Sequence, residues 1–156
     1  MIGLLKARLK NKVMVLGVGN TLRGDDAAGP LLAQRLKDKV SFLVWDAGVA
    51  PENYLGKIIK EKPDNLIIID AADFSGRPGE FKVFEADDIE TTNFFVTHNA
   101  SLSLAIKYLR DNIKIDIIIL AVQPKATVFG SRISPEVETA ISQLEKFFYE
   151  TEKEKR

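Results

Sequence analysis

The chain has no cysteine and a single histidine, His98, among its 156 residues. The first absence excludes disulfides, thiolate metal sites and a cysteine nucleophile together. The second excludes any multi-histidine metal cage. Charge of one sign is also missing, because 22 basic residues cancel 22 acidic ones. A broad electrostatic grip on nucleic acid or anionic lipid is therefore not expected. No run approaches the roughly 18 consecutive apolar residues of a membrane span. The opening segment, 1–10, lacks the continuous apolar stretch and small-residue cleavage site of a signal peptide, so a cytoplasmic location is expected. Chemistry is left to carboxylates, backbone amides and one imidazole.

What is present reads as one domain over 1–156, with an amphipathic lead-in over 1–12 and a charged, solvated helix end over 151–156. Three continuous apolar runs stand out: Val13 to Val18, Leu66 to Ile69 and Ile117 to Val122, with a shorter one at Phe42 to Trp45. Strands apolar on both faces need helices on both sides. Phe81 to Phe84 is mixed and suits an edge or antiparallel strand. Leu102, Ala105, Ile106 and Leu109 repeat at the spacing of one buried helical face. Ser134 and Pro135 open the last helix as N-cap and first helical residue, and its face runs through Val137, Ile141, Leu144 and Phe148. The alternation predicts a three-layer α/β/α sandwich with a mainly parallel, doubly wound sheet of about five strands. The strands holding Val15, Ile68 and Ile119 should be neighbours. Helix faces that divide cleanly into apolar and charged sides predict a monomer.

In such a sheet, ligands bind beyond the carboxyl ends of the strands. The segments expected there carry Asp25 and Asp26 after the first strand, Asp70 and Asp73 after the third, and Thr97-His98-Asn99 before a helix. Capping of the following helix accounts for one acid of the Asp25–Asp26 pair, and a cap would tolerate asparagine. A carboxylate such as Asp70 at the end of a buried strand is costly to desolvate unless something polar answers it. One imidazole with two carboxylates is a plausible set for a borderline divalent metal, with positions left open. Gly17-Val18-Gly19-Asn20 invites a dinucleotide reading, but Leu22 stands where the third glycine belongs. The acidic pair would also repel a pyrophosphate.

Together these residues resemble the nickel–iron hydrogenase maturation endopeptidases. The resemblance rests on Gly17-Val18-Gly19-Asn20-Thr21-Leu22-Arg23-Gly24-Asp25-Asp26-Ala27-Ala28-Gly29, on Ile67-Ile68-Ile69-Asp70-Ala71, on Thr97-His98-Asn99, on Gln123-Pro124 and on Ser134-Pro135-Glu136-Val137. Ala50-Pro51-Glu52-Asn53, Pro78-Gly79-Glu80 and Asp87-Asp88-Ile89 look like the branch that matures hydrogenase 3, the formate-hydrogenlyase type. The match runs over residues 13–148, with Ala27 where a glycine is common.

The resemblance implies a one-shot peptidase that removes a C-terminal extension from the large-subunit precursor once nickel is installed. It maps the nickel-contacting and catalytic residues to Asp26, Asp70 and His98, with Asp25 the fallback for the first. Nickel is then the precursor's own, and a bond held beside it is open to Lewis-acid assistance. Asp25 and Asp73 are the nearest candidates for a general base. The alternative reading is a non-catalytic metal-handling or precursor-binding module on the same scaffold, distinguished by its lack of turnover.

Overall fold

Apolar runs that alternate with amphipathic segments are covered on both faces in the computed structural model, which describes residues 2–91, 95–96 and 99–155. The strands are β1 (Val13–Val18), β2 (Leu43–Gly48), β3 (Asn65–Asp73), β4 (Phe81–Glu85), β5 (Phe95–Val96) and β6 (Asp116–Val122). The helices are α1 (Ile2–Arg8), α2 (Ala28–Leu36), α3 (Leu55–Glu61), α4 (Asp88–Thr91), α5 (Asn99–Asn112) and α6 (Pro135–Lys155). Among the described residues the sheet runs β2-β1-β3-β6-β4, with β5 paired to the far end of β3. The first four strands of that order are parallel, and β4 is antiparallel to β6. Leu16, Ile68 and Ile119 lie side by side across β1, β3 and β6, as the continuous apolar runs require.

Strand alternation divides the core in two. Val13, Val15, Ile67 and Ile69 face α1, α2 and α6, whereas Met14, Leu16, Leu66 and Ile68 face α3, α4 and α5. On α6, Val137, Ile141, Leu144 and Phe148 are fully buried. Each such side chain contributes about 1.5–3 kcal/mol, enough together to seat the whole helix and hence Ser134 at its start.

The charged end of α6 is not the solvated terminus expected from its composition. Thr151 and Glu152 are buried. Glu152 accepts a hydrogen bond from the Ser41 amide, and Glu154 pairs with Lys6 of α1. The lead-in helix is itself anchored: Arg8 donates from Nε to Asp116 at 2.7 Å and from Nη1 to Glu85 at 2.6 Å. Two acids of the tail, Glu152 and Glu154, thus serve as partners for the loop before β2 and for α1.

Chain order sets where the site falls. β2 lies on one side of β1, and the chain then returns to place β3 on the other. The carboxyl ends of β1 and β3 therefore flank the topological switch point, where doubly wound sheets bind ligands. No helix among the described residues is long and apolar enough to cross a membrane.

Candidate active site

Asp26 and Asp70 enter the site from opposite sides of the switch point. Asp26 belongs to a 3₁₀ turn, Gly24–Ala27, between β1 and α2. Its Oδ2 accepts a hydrogen bond of 2.9 Å from the Asn20 amide, and its own amide donates to the Arg23 carbonyl at 3.0 Å. The side chain is fully buried. Asp70 lies inside β3, opposite Ala121 of β6, and the strand continues to Asp73. By alternation it shares the face of Ile68 and Ala72, the face covered by α3 and α5.

Two glycines bring the turn down onto the sheet. A Cβ on Gly29 would stand 2.3 Å from the Ile69 carbonyl oxygen and 2.5 Å from that of Val18. A Cβ on Gly17 would stand 2.3 Å from the Gly29 carbonyl oxygen. Only glycine permits this approach of α2 to β1 and β3.

Asp70 is 0% exposed, and neither carboxylate oxygen has a hydrogen-bond donor among the described residues. Burial pushes its pKa well above the usual carboxylate range, the negative charge of Asp26 pushes it further, and the nearby Ala71 amide, which lies outside hydrogen-bonding geometry, only partly offsets them. Like charges that share a site oppose each other's ionisation. A cation between them removes that opposition and supplies what Asp70 lacks. Hard oxygen donors in this setting fit a divalent metal. Among the described residues no group of three His, Cys, Asp or Glu side chains converges on such an ion. His98 and Thr97, which precede α5 in sequence, lie outside the described residues.

Of the roles expected for Asp25, helix capping is not seen: the helix that follows it has no side-chain cap. The carboxylate reaches across to the loop between β6 and α6 instead. Oδ1 accepts from the Ser134 amide at 2.6 Å, and Oδ2 accepts from the Lys125 amide at 2.8 Å, the Ala126 amide at 3.3 Å and the Ser134 hydroxyl at 2.8 Å. Asp73 is exposed and lies at the end of β3, where Oδ1 accepts from the Ser75 amide at 3.0 Å and Gln123 Nε2 at 3.2 Å. Those two donors, the Ser75 amide foremost, hold its pKa below the usual range, which makes it a weak proton acceptor.

Directly after Asp70 in the chain, a cleft of about 440 Å³ opens between Ala71–Asp73 on one wall and residues 123–127 on the other; the buried side chains of Asp26 and Asp70 do not line it. Gln123, buried at its base, was not singled out by sequence reasoning as a site residue. Its Oε1 accepts from the amides of Phe74 and Gly76 at 2.9 and 3.1 Å. Its amide nitrogen donates to Asp73, as above, so one side chain joins the two walls. The available signal was a glutamine directly after a buried apolar strand and before a proline.

Comparison with known proteins shows the family and the fold. A profile of the HycI family, described as hydrogenase maturation protease, matches residues 28–150. The hydrogenase 3 maturation protease of Escherichia coli K12 is 38% identical over 138 residues, covering 85% of this chain and 88% of that protein. A crystal structure of a nickel–iron hydrogenase maturation protease, HycI from Thermococcus kodakarensis, superposes with a TM-score of 0.86 at 31% identity, over 96% of this chain and 99% of that one. The solution structure of the endopeptidase HycI from Escherichia coli gives 0.76 at 30% identity, over 87% and 88%. With a switch-point carboxylate pair, and with these relatives matched over most of their length, the chain belongs to the hydrogenase maturation proteases and is a maturation endopeptidase.

Proposed function

We propose that this endopeptidase removes a C-terminal extension from the nickel-loaded large-subunit precursor of a nickel–iron hydrogenase, with Asp26, Asp70 and His98 contacting the precursor's nickel. The observation that carries the reading is Asp70: a fully buried carboxylate beside a second one, with neither oxygen hydrogen-bonded among the described residues. Such a group costs stability in the free protein and is suited to receiving a cation that arrives with the substrate. Two features support His98 as the third contact. β5 pairs antiparallel with Ala72 and Asp73, at the carboxyl end of β3, and α5 begins three residues after β5 at Asn99. The face of the sheet that Asp70 shares is the one α5 covers.

Nickel in this role is substrate, and its Lewis acidity polarises a carbonyl held against it. The chain's own part is to bind and orient. Asp26 and Asp70 hold the ion, and the cleft between 71–73 and 123–127 takes the peptide segment that leads to the scissile bond. A precursor without nickel leaves two carboxylates facing each other and is not held. Loading is thereby read before cutting. We propose further that the protein works as a monomer in the cytoplasm.

The deciding experiment is mass spectrometry of large-subunit precursor incubated with the protein, with nickel and without. Release of a C-terminal peptide from the nickel-loaded form alone supports the reading. Tight binding of loaded precursor without release points to a non-catalytic checking module, and release regardless of nickel removes the metal-reading step.

A further inference from the structure

Adjacent in sequence, Asp25 and Asp26 are opposite in setting. Asp25 is 1% exposed and accepts four hydrogen bonds, all from one loop. That loop, between β6 and α6, is exposed from Lys125 through Gly130 and again at Arg132. A stretch of exposed, irregular backbone has little packing to define it. Here its two ends meet on one buried carboxylate: Lys125 and Ala126 at the start, Ser134 at the finish. Ala126 is gripped on both sides, because its carbonyl accepts from the Asp25 amide at 3.0 Å. A further bond of 2.8 Å joins the Gly130 amide to the Leu22 carbonyl. Ser134 Oγ, while donating to Asp25, also accepts from the Val137 amide at 3.3 Å and so caps α6. The loop is therefore pinned to the turn that carries Asp26 at one end and to the start of a fully seated helix at the other.

Residues 125–127 of this loop form one wall of the cleft. We propose that Asp25 is a positioning residue: it holds the cleft wall 125–127 in register with Asp26 and so sets how the precursor's peptide segment is seated, without touching the reacting atoms. This rests on the cleft being the seat of that segment. Charge and shape at position 25 matter separately. Asparagine keeps one acceptor but turns an NH₂ toward backbone amides that are themselves donors, so it is not a conservative change here. Ser134→Ala deletes the hydroxyl's bond to Asp25 together with its cap bond from the Val137 amide and leaves the Asp26 turn untouched, while Ser134→Thr keeps the hydroxyl for both.

The test uses the full-length protein with nickel-loaded precursor, comparing wild type with Asp25→Asn, Ser134→Ala and Ser134→Thr. Steady-state cleavage is measured together with the rate of trypsin cutting at Arg132, inside the loop. Asp25→Asn is expected to raise KM about tenfold or more with kcat changed less than about threefold, and to speed cutting at Arg132 by a similar factor. Ser134→Ala should move both readouts in the same direction by less, and Ser134→Thr should restore them. Unchanged KM in the Asp25→Asn and Ser134→Ala proteins overturns the proposal. So does a collapse of kcat with Arg132 still protected, which would place Asp25 in the chemistry itself. If Asp25→Asn does not fold, the Ser134 pair decides by the same criteria. Wild-type protein that does not cut loaded precursor at all defeats the functional reading instead, and Arg132 protection then reports separately on whether Asp25 clamps the loop.

Discussion

Replacing Asp70 by asparagine should stabilise the protein while inactivating it. The wild-type carboxylate is fully buried, has no hydrogen-bond donor among the described residues, and faces the charge of Asp26. In the unfolded chain it ionises near 3.8; in the folded protein its pKa is well above that. The folded state thus holds a proton that the unfolded state releases as pH rises from the first value toward the second. Stability falls across that window, by about 1.4 kcal/mol for each tenfold gain in proton affinity. Asparagine has no such titration, and its amide meets Asp26 with a donor instead of a like charge. An unanswered buried polar group costs about 1–3 kcal/mol. Near the melting transition 1 kcal/mol is worth about 2–4 °C in a chain of this size, so Asp70→Asn should melt roughly 2–12 °C higher at pH 8. Calorimetry in the presence of a chelator measures this, and the gain should shrink as the pH is lowered toward 4.5. A variant no more stable than wild type at pH 8, or a gain that persists unchanged in acid, would refute the account of Asp70 as an uncompensated charge.

The remaining predictions are direct. Gly29→Ala forces a methyl to within 2.3 Å of the Ile69 carbonyl oxygen and should cost about 1–3 kcal/mol, read as a lower urea midpoint at unchanged m. His98→Ala removes the only imidazole in the chain and should abolish precursor cleavage; full activity in that variant would end the three-ligand reading. Asp73→Asn should keep cleavage within about threefold of wild type, since a carboxyl held below its usual range by two donors makes a poor base. A hundredfold loss there would make Asp73 the base after all.

Much of this molecule is legible before any coordinates. Val13–Val18 and Asp116–Val122 are apolar almost throughout, which is possible only under helices on both faces, and Phe81–Glu85 declares its edge position by being mixed. Asp70 is conspicuous because four apolar residues precede it. The failures have one cause. Asp25 looks like a cap of the helix that follows it, but its partners lie about 100 residues away at Lys125, Ala126 and Ser134. Gln123 draws its importance from amides of Phe74 and Gly76, and Glu152 from that of Ser41. A backbone amide leaves no trace in composition or periodicity, so polar side chains whose partners are distant amides cannot be told from solvated ones by pattern alone.

The glycine contact between α2 and the sheet bears on tolerance as well as packing. Gly29 rests against the carbonyl of Ile69, the residue before Asp70, and lies three residues after Asp26. The jaw width between the two carboxylates is therefore inherited from main chain pressed on main chain, which has almost no give. Side-chain rotation can adjust where the two carboxylates point, but the backbones that carry them cannot part without unseating α2 from the sheet. In the proposed nickel-contacting role, exchanging a donor type at 26 or 70 would retune affinity, whereas a methyl at residue 29 would move the whole turn that carries Asp26.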